Sequence, residues 1–263
     1  MPRIAWQGFT DPVANKPYVD RLIVYLNEIA DPAFSFEFNG IAPPDYYVHR
    51  LTELRCSVQA VAAAIELERD GVDAVVLGHF QDAGLWELRS TLSVPVVGLG
   101  ESSMLWACQL GYRFGLITIH PNFREWHEQQ VRAYSLAGRC AGVRAMETSV
   151  DVFMRAFDDD EEALEYVEAQ FEELGRELAA AGAEVLIPAG GLPALLLGSR
   201  YGYTVDGAVV LNANAIAAKQ AEVTVRMCAL SGTEPCRTGT FRRASAEAID
   251  EFLTLARAMG TNT

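Results

Sequence analysis

Residues 71–85 read GVDAVVLGHFQDAGL. Gly71 closes a helical pattern in which Leu51, Leu54, Val58, Val61 and Ile65 share one stripe up to Arg69. Residues 73–77, DAVVL, then run apolar without alternation, as a strand does when both faces of a parallel sheet are covered. Gly78 stops the run and His79 follows it. The carboxyl end of a strand is where an α/β sheet presents its chemistry.

A second stretch can be laid on the first. GAEVLIPAGGLPALL (182–196) puts Gly182 on Gly71, Glu184 on Asp73, Leu196 on Leu85 and Gly190 on His79. Any two helix–glycine–strand units look somewhat alike. The alternative is a duplicated α/β chain whose halves each offer one strand end to a shared site. The rest of the chain alternates in the same way. Strands are read at 3–6, 34–38, 94–99, 113–119, 184–188 and 204–207. Helices are read from Pro17, at 102–110, from 125 to about 136, and at 161–181, 212–227 and 244–259. This alternation predicts parallel sheets built from βαβ units.

Composition narrows the function. The chain has 263 residues, 50% of them hydrophobic, and a formal net charge of -14. Such an acidic surface repels nucleic acid and anionic lipid, so neither is expected as a partner, and the charge does not itself reveal the small-molecule substrate. Five cysteines occur without a CxxC pair, which predicts free thiols and a cytoplasmic setting. The opening MPRIAWQGFT lacks the pattern of a secretory signal, and no apolar run reaches the roughly 18 residues of a membrane span.

The blocks DAVVLGHFQDAGLWELRSTLSVPVVGLGESS, GYRFGLITI, GAEVLIPAGGLPALLL and VDGAVVLNANAIAAKQAE resemble, in order and spacing, the Asp/Glu/hydantoin racemase superfamily, and its hydantoin-racemase branch most. The resemblance covers about residues 45–225. It implies two pseudo-symmetric parallel-sheet α/β subdomains with the active-site cleft between them. The first would comprise 1–113 plus 208–263 and the second 114–207. It also implies a homo-oligomer and two catalytic cysteines, one from each half, that exchange a proton on opposite faces of a carbon next to a carbonyl. Here those positions correspond to His79 and Gly190. Cys56, Cys108 and Cys228 lie in expected helices, Cys140 precedes a strand and Cys236 sits in a late loop, so none stands in.

Three readings follow. In the first, His79 is the single base or acid beside a carbonyl of a small carboxylate or hydantoin-like cyclic amide. An imidazole titrates near about 6.5 in water, which suits this task at neutral pH. Gly190, Gly191 and Ser102 would supply N–H donors, Ser102 as a helix N-cap, while Gln7, Phe80, Gln81 and Thr118 line the cleft. One base on one face suits isomerase or lyase chemistry better than racemisation, with no cofactor. In the second, His79, Glu101 and His120 follow three different strands and hold a divalent metal such as Zn for hydrolysis or lyase chemistry. In the third the chain is a non-catalytic small-molecule binder. Asp82 can orient the imidazole or cap the next helix. His127 reads as a helix-surface residue, with His49, Tyr46 and Tyr47 as loop or helix-end positions.

Overall fold

The computed structural model describes residues 1–260. The chain runs β1 (Arg3–Gln7), α1 (Lys16–Ile29), β2 (Ser35–Asn39), α2 (Arg50–Arg69), β3 (Ala74–Leu77), α3 (Leu85–Thr91), β4 (Val96–Gly98) and α4 (Leu99–Leu110). It continues β5 (Phe114–Thr118), α5 (Pro121–Ala133), β6 (Cys140–Ala145), α6 (Val150–Phe157), α7 (Glu161–Ala180) and β7 (Val185–Ala189). A short helical turn α8 (Gly191–Pro193) runs into a π-helical turn (Ala194–Gly198), followed by β8 (Thr204–Val205), β9 (Ala208–Val210), α9 (Ala213–Ser231) and α10 (Ala246–Gly260).

Two sheets result. The first has strand order β2-β1-β3-β4 and the second β6-β5-β7-β9-β8, with only the β8–β9 pair antiparallel. Leaving β8 aside, β6-β5-β7-β9 repeats the order of the first sheet, so β7 holds the place in its sheet that β3 holds in the other. This is the two-subdomain α/β arrangement, and it puts the ends of the two echoed strands in equivalent positions.

Strand pleating sorts the side chains. Ile4, Trp6, Ala74 and Val76 point into one large core that also takes in Phe114, Leu116, Leu186 and Ile187 of the second sheet. Ala5, Val75 and Leu77 point the other way, onto Val61, Ile65 and Leu88 of α2 and α3. Helix α9 packs on α4, β3 and β7 and so touches both sheets, while α10 packs on α2.

Several boundaries differ from those expected. Helix α4 begins at Leu99 with Gly98 as its N-cap, so Ser102 lies inside the helix and is not its cap. Its hydroxyl donates to the Gly98 carbonyl at 2.6 Å. Helix α5 begins four residues early because His120 caps it and Pro121 opens it. The last short strand is a hairpin, turning at Asp206 and Gly207, both at positive φ.

Candidate active site

His79 leaves β3 directly after Gly78. The Trp6 indole lies across Gly78 so closely that a Cβ there would stand 1.9 Å from Nε1. Only glycine fits, and the chain can then turn beside the indole. The His79 ring stacks on Phe9 with centroids 4.0 Å apart and planes 5° from parallel. Its Nε2 lies 2.7 Å from Glu53 Oε1, from the first turn of α2. A carboxylate only accepts, so Nε2 carries the proton and Nδ1 keeps a lone pair. Among the described residues Nδ1 has no hydrogen-bond partner. Packing and one hydrogen bond thus fix the orientation of the imidazole.

Glu53 is the functional candidate that the sequence reading lacked. It belongs to no motif, and an acid in a first helical turn already has a reason to be there, the helix dipole. Only the fold brings it to a residue 26 positions away.

The opposite wall is the Gly190–Gly191 turn after β7. A Cβ on Gly191 would lie 2.5 Å from Tyr18 Oη and 3.6 Å from the Gly78 carbonyl oxygen. The ends of β3 and β7 therefore face each other at short range. Asn214 of α9 donates from Nδ2 to the Gly191 carbonyl at 3.2 Å, which holds the turn in place. The Gly190 N–H, expected as a donor to substrate, instead donates to the Pro188 carbonyl at 3.0 Å, while the Gly191 N–H that opens α8 has no partner within its helix.

A buried polar network supports the His79 loop. The carboxylate of Asp82 accepts from Gly100 N (3.0 Å), Glu101 N (2.7 Å), Gln130 Nε2 (3.1 Å) and Tyr134 Oη (2.7 Å). It caps the start of α4, not of α3, and does not reach the imidazole of His79. Burial pushes Asp82 up to about 7 against the pull of these donors. His127, expected on a helix surface, is fully buried. Its Nδ1 donates to Gln130 Oε1 at 3.0 Å and its Nε2 accepts from Thr118 Oγ1 at 3.2 Å. Burial lowers its pKa to about 4, so it is neutral.

Other expected site residues already have structural partners. Gln7 is fully buried, donating to the Gly8 carbonyl and accepting from Asn39. Phe80 and Thr118 are core residues, Phe80 edge-on to His127. Glu101 pairs with both terminal guanidinium nitrogens of Arg89. His120 spends its Nδ1 on the backbone N–H of Asn122, capping α5. His79, Glu101 and His120 are therefore not brought together. Among the described residues no group of three His, Cys, Asp or Glu side chains is arranged to hold a metal ion. The expected ligand set fails because strand ends fix only where a residue leaves the sheet, and each side chain turns to its own neighbour. Gln81 lines an open cleft of about 330 Å³ between α2, α3 and α5, with Glu53, Asp82, Trp86, Trp126 and Tyr134.

Two like sheets meeting at facing strand ends define a racemase-type α/β fold, and solved racemases share it. Allantoin racemase from Klebsiella pneumoniae superposes with a TM-score of 0.77, covering 93% of this chain and 94% of that one at 20% identity. Allantoin racemase from Pseudomonas fluorescens gives 0.75, covering 92% and 97%, also at 20% identity. Residues 9–221 match the Asp/Glu/Hydantoin racemase family, and the chain belongs to it. Two hydantoin racemases are similar to part of the chain. Hydantoin racemase from Pseudomonas sp. (strain NS671) is 35% identical over 88 residues, 34% of this chain and 35% of that protein. The Rhizobium meliloti hydantoin racemase is 32% identical over 98 residues, 37% of this chain and 39% of that protein. The aligned stretch thus spans little more than a third of either relative.

Proposed function

We propose that this racemase-family enzyme uses His79 as a single base on a carbon next to a carbonyl, in a small carboxylate or hydantoin-like cyclic amide. The observation that carries the reading is the Nε2–Glu53 bond at 2.7 Å, which leaves Nδ1 as the basic nitrogen. Glu53 orients the ring and stabilises the imidazolium that forms, as a carboxylate does behind a catalytic histidine. Nδ1 takes the proton, and the electron pair delocalises onto the neighbouring carbonyl oxygen. The Gly191 N–H, which opens the turn after β7, is suited to that developing charge, whereas the Gly190 N–H is spent on the Pro188 carbonyl. The family's second cysteine position corresponds to Gly190, which offers no acid for the opposite face. The proton therefore returns from His79 to the same face or to another atom of the anion. This gives exchange, isomerisation or lyase chemistry in preference to inversion.

The test is proton exchange in D2O on an enantiopure 5-alkyl hydantoin, followed by NMR for wild type and His79→Asn. The variant is expected to lose exchange by at least about 100-fold, as for loss of a general base. Undiminished exchange would remove His79 from the mechanism, and binding without exchange by the wild type would make the chain a binder.

The same reading extends to the assembly and its setting. Helices α4 and α9 lie together and expose Leu105, Trp106, Leu110, Val223, Met227 and Leu230, a face that a second copy would cover in the homo-oligomer the family resemblance implies. All five cysteines are free thiols, which supports a reducing, cytoplasmic setting. No described helix is long and apolar enough to cross a membrane.

A further inference from the structure

The open cleft of about 330 Å³ between α2, α3 and α5 is not the space between the facing strand ends. Neither His79 nor the Gly190–Gly191 turn lines it, but Glu53 does. The loop after β3 and the start of α3 give one wall with Gln81, Trp86 and Glu87. Helix α5 gives the other with Trp126 and Gln129.

The two walls differ in what they leave unpaired. The Arg50 guanidinium lies over the Trp126 ring, 5.1 Å from its centroid, and donates to Gln129 Oε1 at 2.6 Å, so this wall is paired within itself. Asp82 is spent on its four donors. Across the cleft, the side chains of Gln81, Trp86 and Glu87 have no hydrogen-bond, ion-pair or ring partner among the described residues. Trp86 is 46% exposed. Glu53 is only 9% exposed, gives Oε1 to His79 and leaves Oε2 without a partner. Burying an unpaired carboxylate oxygen is costly, and a positive charge nearby offsets that cost.

The unpaired groups define their ligand. An open indole face and two unspent carboxylates attract positive charge, and the Gln81 amide can accept an N–H. The net charge of -14 adds to the attraction. Arg50 on Trp126 already makes the same kind of contact with the protein's own cation. An anion would meet Glu53 and Glu87 with only Arg50 to offset them. We propose that this cleft is a second ligand site and takes a small organic cation with N–H donors, an alkylammonium. Its charge sits against Trp86 and pairs with Glu87, while Glu53 adds negative charge from the buried side. Because the Glu53 carboxylate also backs His79, a bound cation competes for that charge and slows proton exchange, a consequence that rests on the proposed function.

Binding is tested apart from catalysis. In 15N-labelled full-length protein the Trp86 indole resonance is assigned by its loss in Trp86→Leu. n-Butylammonium, butyrate, 1-butanol and sodium chloride are then titrated, the two organic ions at constant ionic strength. Butylammonium is expected to shift the Trp86 resonance to saturation, and the other three to leave it in place. Glu87→Gln, at an exposed position and checked for fold by circular dichroism, is expected to weaken that binding about 3- to 10-fold. A response without saturation, an equal response to sodium chloride or butyrate, or unchanged affinity in Glu87→Gln overturns the proposal. Saturable binding that leaves the rate of deuterium exchange unchanged overturns only the coupling through Glu53. Saturable binding by a protein that exchanges no hydantoin proton overturns the reaction assigned to His79 and upholds the cation site.

Discussion

Glu53 and His79 share one short hydrogen bond, with side chains 12% and 17% exposed. Glu53→Gln keeps the shape and removes the charge. An amide can also present its N–H₂ to the ring and turn the proton onto Nδ1. The rate is expected to fall about 10- to 100-fold, matching ~1.5–3 kcal/mol for a hydrogen bond to a charged group, with KM little changed. Steady-state kinetics check this, and an unchanged kcat would detach Glu53 from the imidazole's function. Two neighbouring groups shift stability with pH in opposite senses. Asp82 is raised to about 7 in the folded chain, so its contribution is greatest in acid and is lost as pH rises from about 4 to 7. His127 is lowered to about 4, so its contribution is present above about 6.5 and is lost as pH falls toward 4. Between about 4 and 6.5 the two slopes cancel, each near 1.4 kcal/mol per pH unit at most. Urea unfolding at several pH values should show wild type falling relative to Asp82→Asn as pH rises, and rising relative to His127→Gln over the same range.

At the scale of elements, the site depends on close approaches that only glycine permits. Gly78→Ala would place a methyl 1.9 Å from Trp6 Nε1, and Gly100→Ala one 2.1 Å from the Phe80 carbonyl oxygen. Each is expected to lower unfolding free energy by at least about 1–3 kcal/mol, the range for overpacking, which denaturation midpoints will register. The alternation of strands and helices was legible because unbroken apolar runs and helical stripes are periodic signals. So was the equivalence of β3 and β7, since Gly71 and Gly182 mark the same joint. Helix starts were less legible. Ser102 looked like a cap, yet α4 begins at Leu99 because the Asp82 carboxylate, distant in sequence, caps its N–H groups. Partners made by folding were not legible at all. Nothing local ties Arg89 to Glu101, His127 to Thr118 or Glu53 to His79. His120 and Glu101 sat at suitable strand ends and were taken up by capping and ion pairing.

At the scale of the molecule, two sheets of like order bring their strand ends together, and under the proposed function the asymmetry between His79 and Gly190 sets what the site between them does. The exposed face of α4 and α9 belongs to the same scale. If a second copy covers it, Trp106→Lys should lower the sedimentation coefficient toward that of one chain while leaving the fold intact by circular dichroism. An unchanged coefficient would mean that this face is not the contact. The central claim is that there is one base on one face. Its most direct test follows deuterium uptake and optical rotation together, on one enantiopure 5-alkyl hydantoin in D2O with wild-type protein. Uptake that clearly outpaces loss of rotation is the predicted result. Equal rates for the two would show a second base on the opposite face and contradict the account.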